Sequence, residues 1–497
     1  TGTAIPYYQD ITTRFNFPTE KAGTFSVFAI GGVSQIDLIS SNEEDTVDNL
    51  YNNDLDIYDR SKTGIAGISH QYLIDNSSYT KFTLAASYVM NSDLIDSISP
   101  ETYDPVPYYS QNFTQTKIAG NFFYKKKFNT KHNLQIGVRF DEFLVDIIDS
   151  IYRSTIDRYI TLTEYDGNTF LLQPYAQYQY RVSDKMSLNA GLHYQYLGLN
   201  GSSSLEPRAG VKYQINEKNA VSFGYGLHSM MAPIATYFKT VEAGVGNYIT
   251  PNDSIDFVKA HHIVLGYDLQ LSPTIRMKTE VYYQHLYDVL IDKDSSSYSV
   301  LNTGSLTFGS PDYLKNSGTG RNYGAELTLE KFMDKGMYFL VTGSLYRSEY
   351  TGSDKIERES AFSGNYVTNF VGGKEFTLFP NRVGQKTKKS IVLDTKFTLA
   401  GGQRYTPIDL EESILAGETK YDWDNAYGDQ FDDYMRLDLR TAFKMDGKFA
   451  TQEWAIDIQN ITSRQNPLYQ RFNPIEGQID TVYQLGFFLV PQYRITF

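Results

Sequence analysis

Three sets of charged residues stand at spacings that place each set on one side of an extended chain. Glu206, Arg208 and Lys212 lie in one segment, Asp394, Lys396 and Arg404 in a second, and Arg436, Asp438 and Arg440 in a third. Residues separated by an even number of positions in a strand project to the same side, so each set forms a ribbon of mixed charge. Such a ribbon can hold a separate body through ion pairs and hydrogen bonds. It can equally be the hydrated lining of a water-filled interior. The spacing itself says only that the members share a face.

Other chemistry-bearing residues crowd the polar segments. The stretch 41–59 carries Glu43, Glu44, Asp45, Asp48, Asp54, Asp56 and Asp59, and 411–433 carries Asp422, Asp424, Asp429, Asp432 and Asp433. Carboxylate oxygens suit hard cations, but neither stretch has the EF-hand spacing, and a solvated acidic surface accounts for both. No metal and no cofactor is expected. Tyr103, Tyr108, Tyr109, Tyr421, Trp423 and Tyr427 could stack on sugar or peptide ligands; aromatics near strand ends also form the girdle of a membrane interface. The 7 histidines, with His261 and His262 adjacent, lack a zinc-like arrangement. There is no cysteine, which removes disulfides, thiolate metal sites and cysteine nucleophiles. No nucleophile elbow, phosphate loop or metalloprotease motif occurs, so enzymatic activity has no support. A net charge of −13 disfavours a nucleic-acid partner.

The elements that position these residues read as strands. The chain of 497 residues holds 41 Tyr and 30 Phe but only 2 Trp, and no apolar run approaches the roughly 18 residues of a spanning helix. From Tyr7 onward, a strand, a tight turn, a strand and a longer polar loop follow one another to the end. Lys81–Met90 alternates with Phe82, Leu84, Ala86, Tyr88 and Met90 on one side. Ile391–Leu399 sets Asp394 and Lys396 against an apolar side, and Leu437–Phe443 does the same with Arg436, Asp438 and Arg440. A final strand over Tyr483–Phe497 places Leu485, Phe487, Leu489, Tyr493, Ile495 and Phe497 on one side and Gln484, Gln492, Arg494 and Thr496 on the other. The count is about nineteen strands, most of them longer than the roughly 5–6 residues usual in soluble sheets.

These features predict an all-β fold across 1–497: a transmembrane antiparallel β-barrel with short periplasmic turns and longer outer loops. A soluble propeller or sandwich also alternates, but strand length, loop asymmetry and the aromatic carboxyl terminus favour the barrel. The first and last strands run the same way, so an odd number of strands is expected before Thr1. Three would give 22, the size of plugged outer-membrane transporters. Neither a signal peptide nor a plug is expected within these residues.

Towards the carboxyl end the wording becomes specific: AGGQRYTPIDLEES at 400–413, YMRLDLR at 434–440 and EWAIDIQNITSRQN at 453–466. Together with SLEPRAGVKY at 204–213, YGLHSMMAPIATYF at 225–238, EVYYQHLYDVLI at 280–291 and YGAELTLEKF at 323–332, the chain resembles the barrel of Bacteroidetes TonB-dependent outer-membrane receptors. That resemblance implies import of a ligand bound at the extracellular loops of the bacterial outer membrane, driven by the TonB complex through a plug. It further implies contact with outer-membrane lipid, insertion by the β-barrel assembly machinery with Phe497 as its signal, and a surface lipoprotein as partner. The charged triplets then become candidates to face the plug, and Tyr108, Tyr109, Tyr421, Trp423 and Tyr427 candidates for the ligand loops. The alternative is a barrel serving as a structural or interaction element in a larger outer-membrane assembly.

Overall fold

The computed structural model describes residues 6–39, 41, 55–99, 102, 104–244, 247–303, 311–379, 387–474 and 476–497. Glu43, Glu44, Asp45, Asp48, Asp54 and Tyr103 lie outside the described residues. A 20-stranded sheet dominates. Apart from the short strand Glu357–Glu359, it consists of nineteen strands in chain order. They are β1 (Tyr7–Pro18), β2 (Thr24–Leu38), β3 (Leu55–Asp75), β4 (Ser78–Ile98), β5 (Pro105–Lys127), β6 (His132–Arg153) and β7 (Arg158–Arg181). Next come β8 (Met186–Leu197), β9 (Ser203–Gln214), β10 (Asn219–Met230), β11 (Val258–Ser272), β12 (Ile275–Asp292) and β13 (Leu314–Asp334). The series ends with β14 (Met337–Thr351), β15 (Tyr366–Leu378), β16 (Lys388–Ala400), β17 (Tyr434–Asp446), β18 (Thr451–Gln459) and β19 (Phe488–Thr496).

Each strand pairs antiparallel with the next, from β1 on β2 to β18 on β19. Tight turns close the hairpins at one end. Between β13 and β14, Lys335 (φ 50°) and Gly336 (φ 73°) both take the left-handed conformation that matches strand twist. A Cβ on Gly336 would meet the Glu375 carbonyl oxygen at 2.7 Å, so this turn requires glycine. Among the described pairings, β1 bonds only to β2 and β19 only to β18. Both end strands run towards the tight-turn end, so they are parallel to each other.

The register sorts side chains as the alternation predicts. Leu393 lies opposite Thr441 and Phe397 opposite Leu437, while Asp394 faces Arg440 and Lys396 faces Asp438 on the other side. Phe82, Leu84 and Tyr88 on β4, Ile263 and Leu265 on β11 and Val281 and Tyr283 on β12 are exposed although apolar. An apolar surface this continuous marks contact with lipid. Within the membrane, only complete strand-to-strand bonding satisfies the backbone of a sheet. No helix among the described residues is long and apolar enough to cross a membrane.

Several boundaries differ from the sequence reading. The strand after the first acidic stretch begins at Leu55, so Asp56 and Asp59 stand on β3 and not in a loop. Asp56 is buried, accepting from the Ser41 N–H at 2.9 Å and its Oγ at 2.6 Å. Likewise β5 starts at Pro105, which puts Tyr108 and Tyr109 on the wall. The last strand starts at Phe488, leaving Leu485 and Phe487 outside the ladder. Periodicity could not reveal these limits, because polar residues continue the ladder once the wall rises above lipid. The wall is uneven: β3 to β7 have 21 to 24 residues, whereas β8, β9 and β10 have 12 each.

Candidate ligand-binding mouth and charged lumen

The main apolar core lies at the loop end of the sheet. The chain leaving β10 carries Ala232, Ile234, Tyr237 and Phe238 against Val145 and Ile147 of β6, Leu171 of β7 and Leu197 of β8. Here α1 (Ile234–Tyr237) makes a single turn, and Phe238 stacks on Tyr165 with ring centroids 3.6 Å apart. The Tyr237 hydroxyl accepts from the Ala232 N–H at 3.2 Å, and burial pushes its pKa up to about 12.

Three asparagine side chains fasten this segment. Asn200 donates to the carbonyls of Asp253 and Ile255, both at 2.9 Å. Asn252, fully buried, donates to the Asp312 carbonyl at 3.1 Å and accepts from the Leu314 N–H at 2.9 Å. Asn316 accepts from the Asp256 N–H at 2.8 Å and donates to the carbonyls of Asp256 and Asp288 at 3.0 and 2.9 Å. Each amide offers both a donor and an acceptor, which suits it to backbone that has left the ladder. Lys259 adds ion pairs to Asp256 and Asp288 at 3.1 and 3.0 Å. The loop is therefore a built part of the wall.

On the polar side, Glu206 is the centre of one network. Its carboxylate, 1% exposed, pairs with Arg208 at 2.7 Å and His193 at 2.9 Å and accepts from Gln195 at 2.5 Å and from the Ser229 hydroxyl. Lys212 lies further down the same face, opposite Ser222. A second network centres on Arg440, which reaches Glu453 at 2.6 Å, Asp457 at 3.0 Å and Asp394 at 3.5 Å. Arg436 bonds Asp438 at 2.7 Å, and Asp438 also accepts from the Asn460 N–H at 2.8 Å. Two of the three predicted triplets thus share a strand face as read, and β16 and β17 bring Asp394 to Arg440. Arg404 does not join them: β16 ends at Ala400, and Arg404 pairs with Glu359 and donates to the Ser363 carbonyl at 3.1 Å in the loop region.

The aromatic candidates disperse. Tyr109 is buried in the wall near Asp149, whereas Tyr108 is exposed. Tyr421 and Trp423 touch, with centroids 5.6 Å apart. Tyr427, at φ 56°, packs edge-on against buried Tyr350. No group of acidic and histidine side chains among the described residues could hold a metal ion. Sequence reasoning missed the packed loop and its asparagines. The run MMAPIATYF within a polar stretch was the one available signal.

A family profile described as "TonB dependent receptor-like, beta-barrel" matches residues 2–461. The chain belongs to this family. TonB-dependent receptor barrels reside in the outer membrane of Gram-negative bacteria, where they take up a ligand bound at their outer loops, and this barrel is one of them. Its fold is similar to that of the ferric-catecholate import receptor Fiu from E. coli K12: TM-score 0.70, 11% identity, 99% of this chain and 75% of that one. The pyoverdine receptor FpvA from Pseudomonas aeruginosa PAO1 aligns with TM-score 0.72 at 11% identity over 100% of this chain and 72% of its own. The RagAB peptide transporter aligns with TM-score 0.60 at 11% identity over 91% and 68%. No curated protein matches the sequence.

Proposed function

We propose that this TonB-dependent receptor barrel receives its ligand at the mouth built by the loop after β10, and that its inner charges hold a plug through which TonB acts. The observation that carries the reading is the fastened loop, whose apolar residues pack on β6, β7 and β8 at the loop end of a lipid-facing sheet. Rigidly mounted loops are where barrels place recognition. The networks around Glu206 and Arg440 offer hydrogen-bonding charge to a body inside the wall. The parallel run of β1 and β19 supports an odd number of further strands between them; three would make the barrel 22-stranded and give the plug its enclosure. Phe497, beyond β19, is proposed as the assembly signal. The sequence words shared with Bacteroidetes receptors support that origin.

A surface lipoprotein partner is supported by a separate observation. Helix α2 (Leu410–Ala416) lies in the connection between β16 and β17 with Ile414 exposed and Leu415 88% exposed, and Trp423 of the same connection is exposed too. Such apolar exposure away from lipid favours a protein contact.

Growth on single nutrients tests the reading. Cells lacking the receptor, cells lacking TonB and cells lacking both are expected to lose the same nutrient to the same degree. Receptor-dependent uptake that persists without TonB defeats it.

A further inference from the structure

A cavity of about 440 Å³ lies between the upper wall of β5, β6 and β7 and the loop that follows β10. Its apolar side includes Ile147, Ile151, Ile160 and Ala235; its polar side includes Asp149 and Lys239. The hydroxyl of buried Tyr109 lies near the Asp149 carboxylate. Its Oδ1 is buried and has no hydrogen-bond partner. The nearby Lys239 ammonium is engaged elsewhere, with Asp312 at 2.9 Å and the Pro311 carbonyl at 3.4 Å. A buried carboxylate oxygen without a donor is costly, and the groups that relieve it best are positively charged donors. Beside it the isoleucines offer an apolar path.

We infer that this cavity is a subsite for the primary ammonium end of a ligand, with Asp149 accepting from the ammonium and an apolar stem lying along Ile147, Ile151 and Ile160. This deepens the proposed function, on which it rests for the site being a receiving mouth. A peptide amino terminus and an amino sugar share the ammonium, and the apolar lining favours the peptide.

The test uses the intact receptor purified from outer membranes, with binding of trileucine, N-acetyltrileucine and glucosamine followed by calorimetry. Trileucine is expected to bind, and acetylation to weaken it by about tenfold or more, as loss of a charge-assisted bond does. Asp149→Asn is expected to weaken trileucine by a similar factor without changing the acetylated peptide, while Asp149→Glu retains discrimination. Glucosamine binding in trileucine's place, with the same dependence on Asp149, would support the ammonium site and reassign its source. Equal binding of free and acetylated peptide, no binding of either amine, or an Asp149→Asn protein that keeps both native heat-modifiable mobility and full discrimination overturns the proposal. Detergent binding does not involve TonB, so failure here is distinct from failure of the uptake reading.

Discussion

At the scale of single residues, the Glu206 carboxylate shows how an inner charge differs from a surface one. Four side chains converge on it, so removing it strands them together. Glu206→Ala is expected to cost about 3–5 kcal/mol, the range for breaking a buried pair, and Arg208→Ala about 1–3 kcal/mol because three donors remain. Urea titration of the receptor in detergent, read by heat-modifiable mobility, measures both; equal costs would refute the account. On the opposite side of the sheet the penalty reverses in kind. Leu439, next to inward Arg440, faces lipid in the middle of β17, and Leu439→Arg is expected to lose about 2–4 kcal/mol. The same titration checks it, and a neutral result would mean the register of β17 is misread.

Elements show what the sequence made legible. Strand faces follow from alternation, so Asp394, Lys396, Arg436, Asp438 and Arg440 can be assigned a face from the sequence, because period two is a local property. Arg404 cannot, since parity carries it along a strand that stops at Ala400. The loop after β10 escaped for a deeper reason: its burial depends on β6, β7 and β8, distant in sequence, and side-chain amides leave no periodic trace. Asn252→Ala is expected to free that loop while sparing the barrel. Hydrogen exchange over 231–244 and 247–257, and at Leu314, whose N–H loses its acceptor, should accelerate as if about 1–3 kcal/mol of protection were lost, with unchanged exchange in β11, β12, β14 and the rest of β13. Alkali acts on the same element. Tyr237 has its pKa raised from 10.0 to about 12 by burial, so between those values the unfolded loop releases a proton that the folded loop keeps, and stability falls as pH rises. Loop protection is expected to weaken from about pH 10 by up to about 2–3 kcal/mol. Tyr237→Phe should remove that component; an identical pH profile in the variant would exclude Tyr237 as its source.

At the scale of the whole molecule, the two end strands set the closure. Three intervening strands would keep β1 and β19 about 19 Å apart, at roughly 4.8 Å per strand. The chain has no cysteine, so introduced pairs report cleanly. Ile11→Cys with Tyr493→Cys should form no disulfide in native membranes, whereas Trp454→Cys with Tyr493→Cys, directly opposed on β18 and β19, should. Oxidation of the first pair would rule out the 22-stranded barrel.

The uneven wall has its own consequence. Strand β7, with 24 residues, rises about 60 Å at a tilt near 40°, while the 12-residue strands β8 to β10 rise about 30 Å, little more than the roughly 25 Å apolar band. The rim is therefore a slope. On its low side the loop after β10 packs over the end of β8 and fills the dip, and its high side stands well clear of the lipid. Antibodies and phage tails would meet the tall face first.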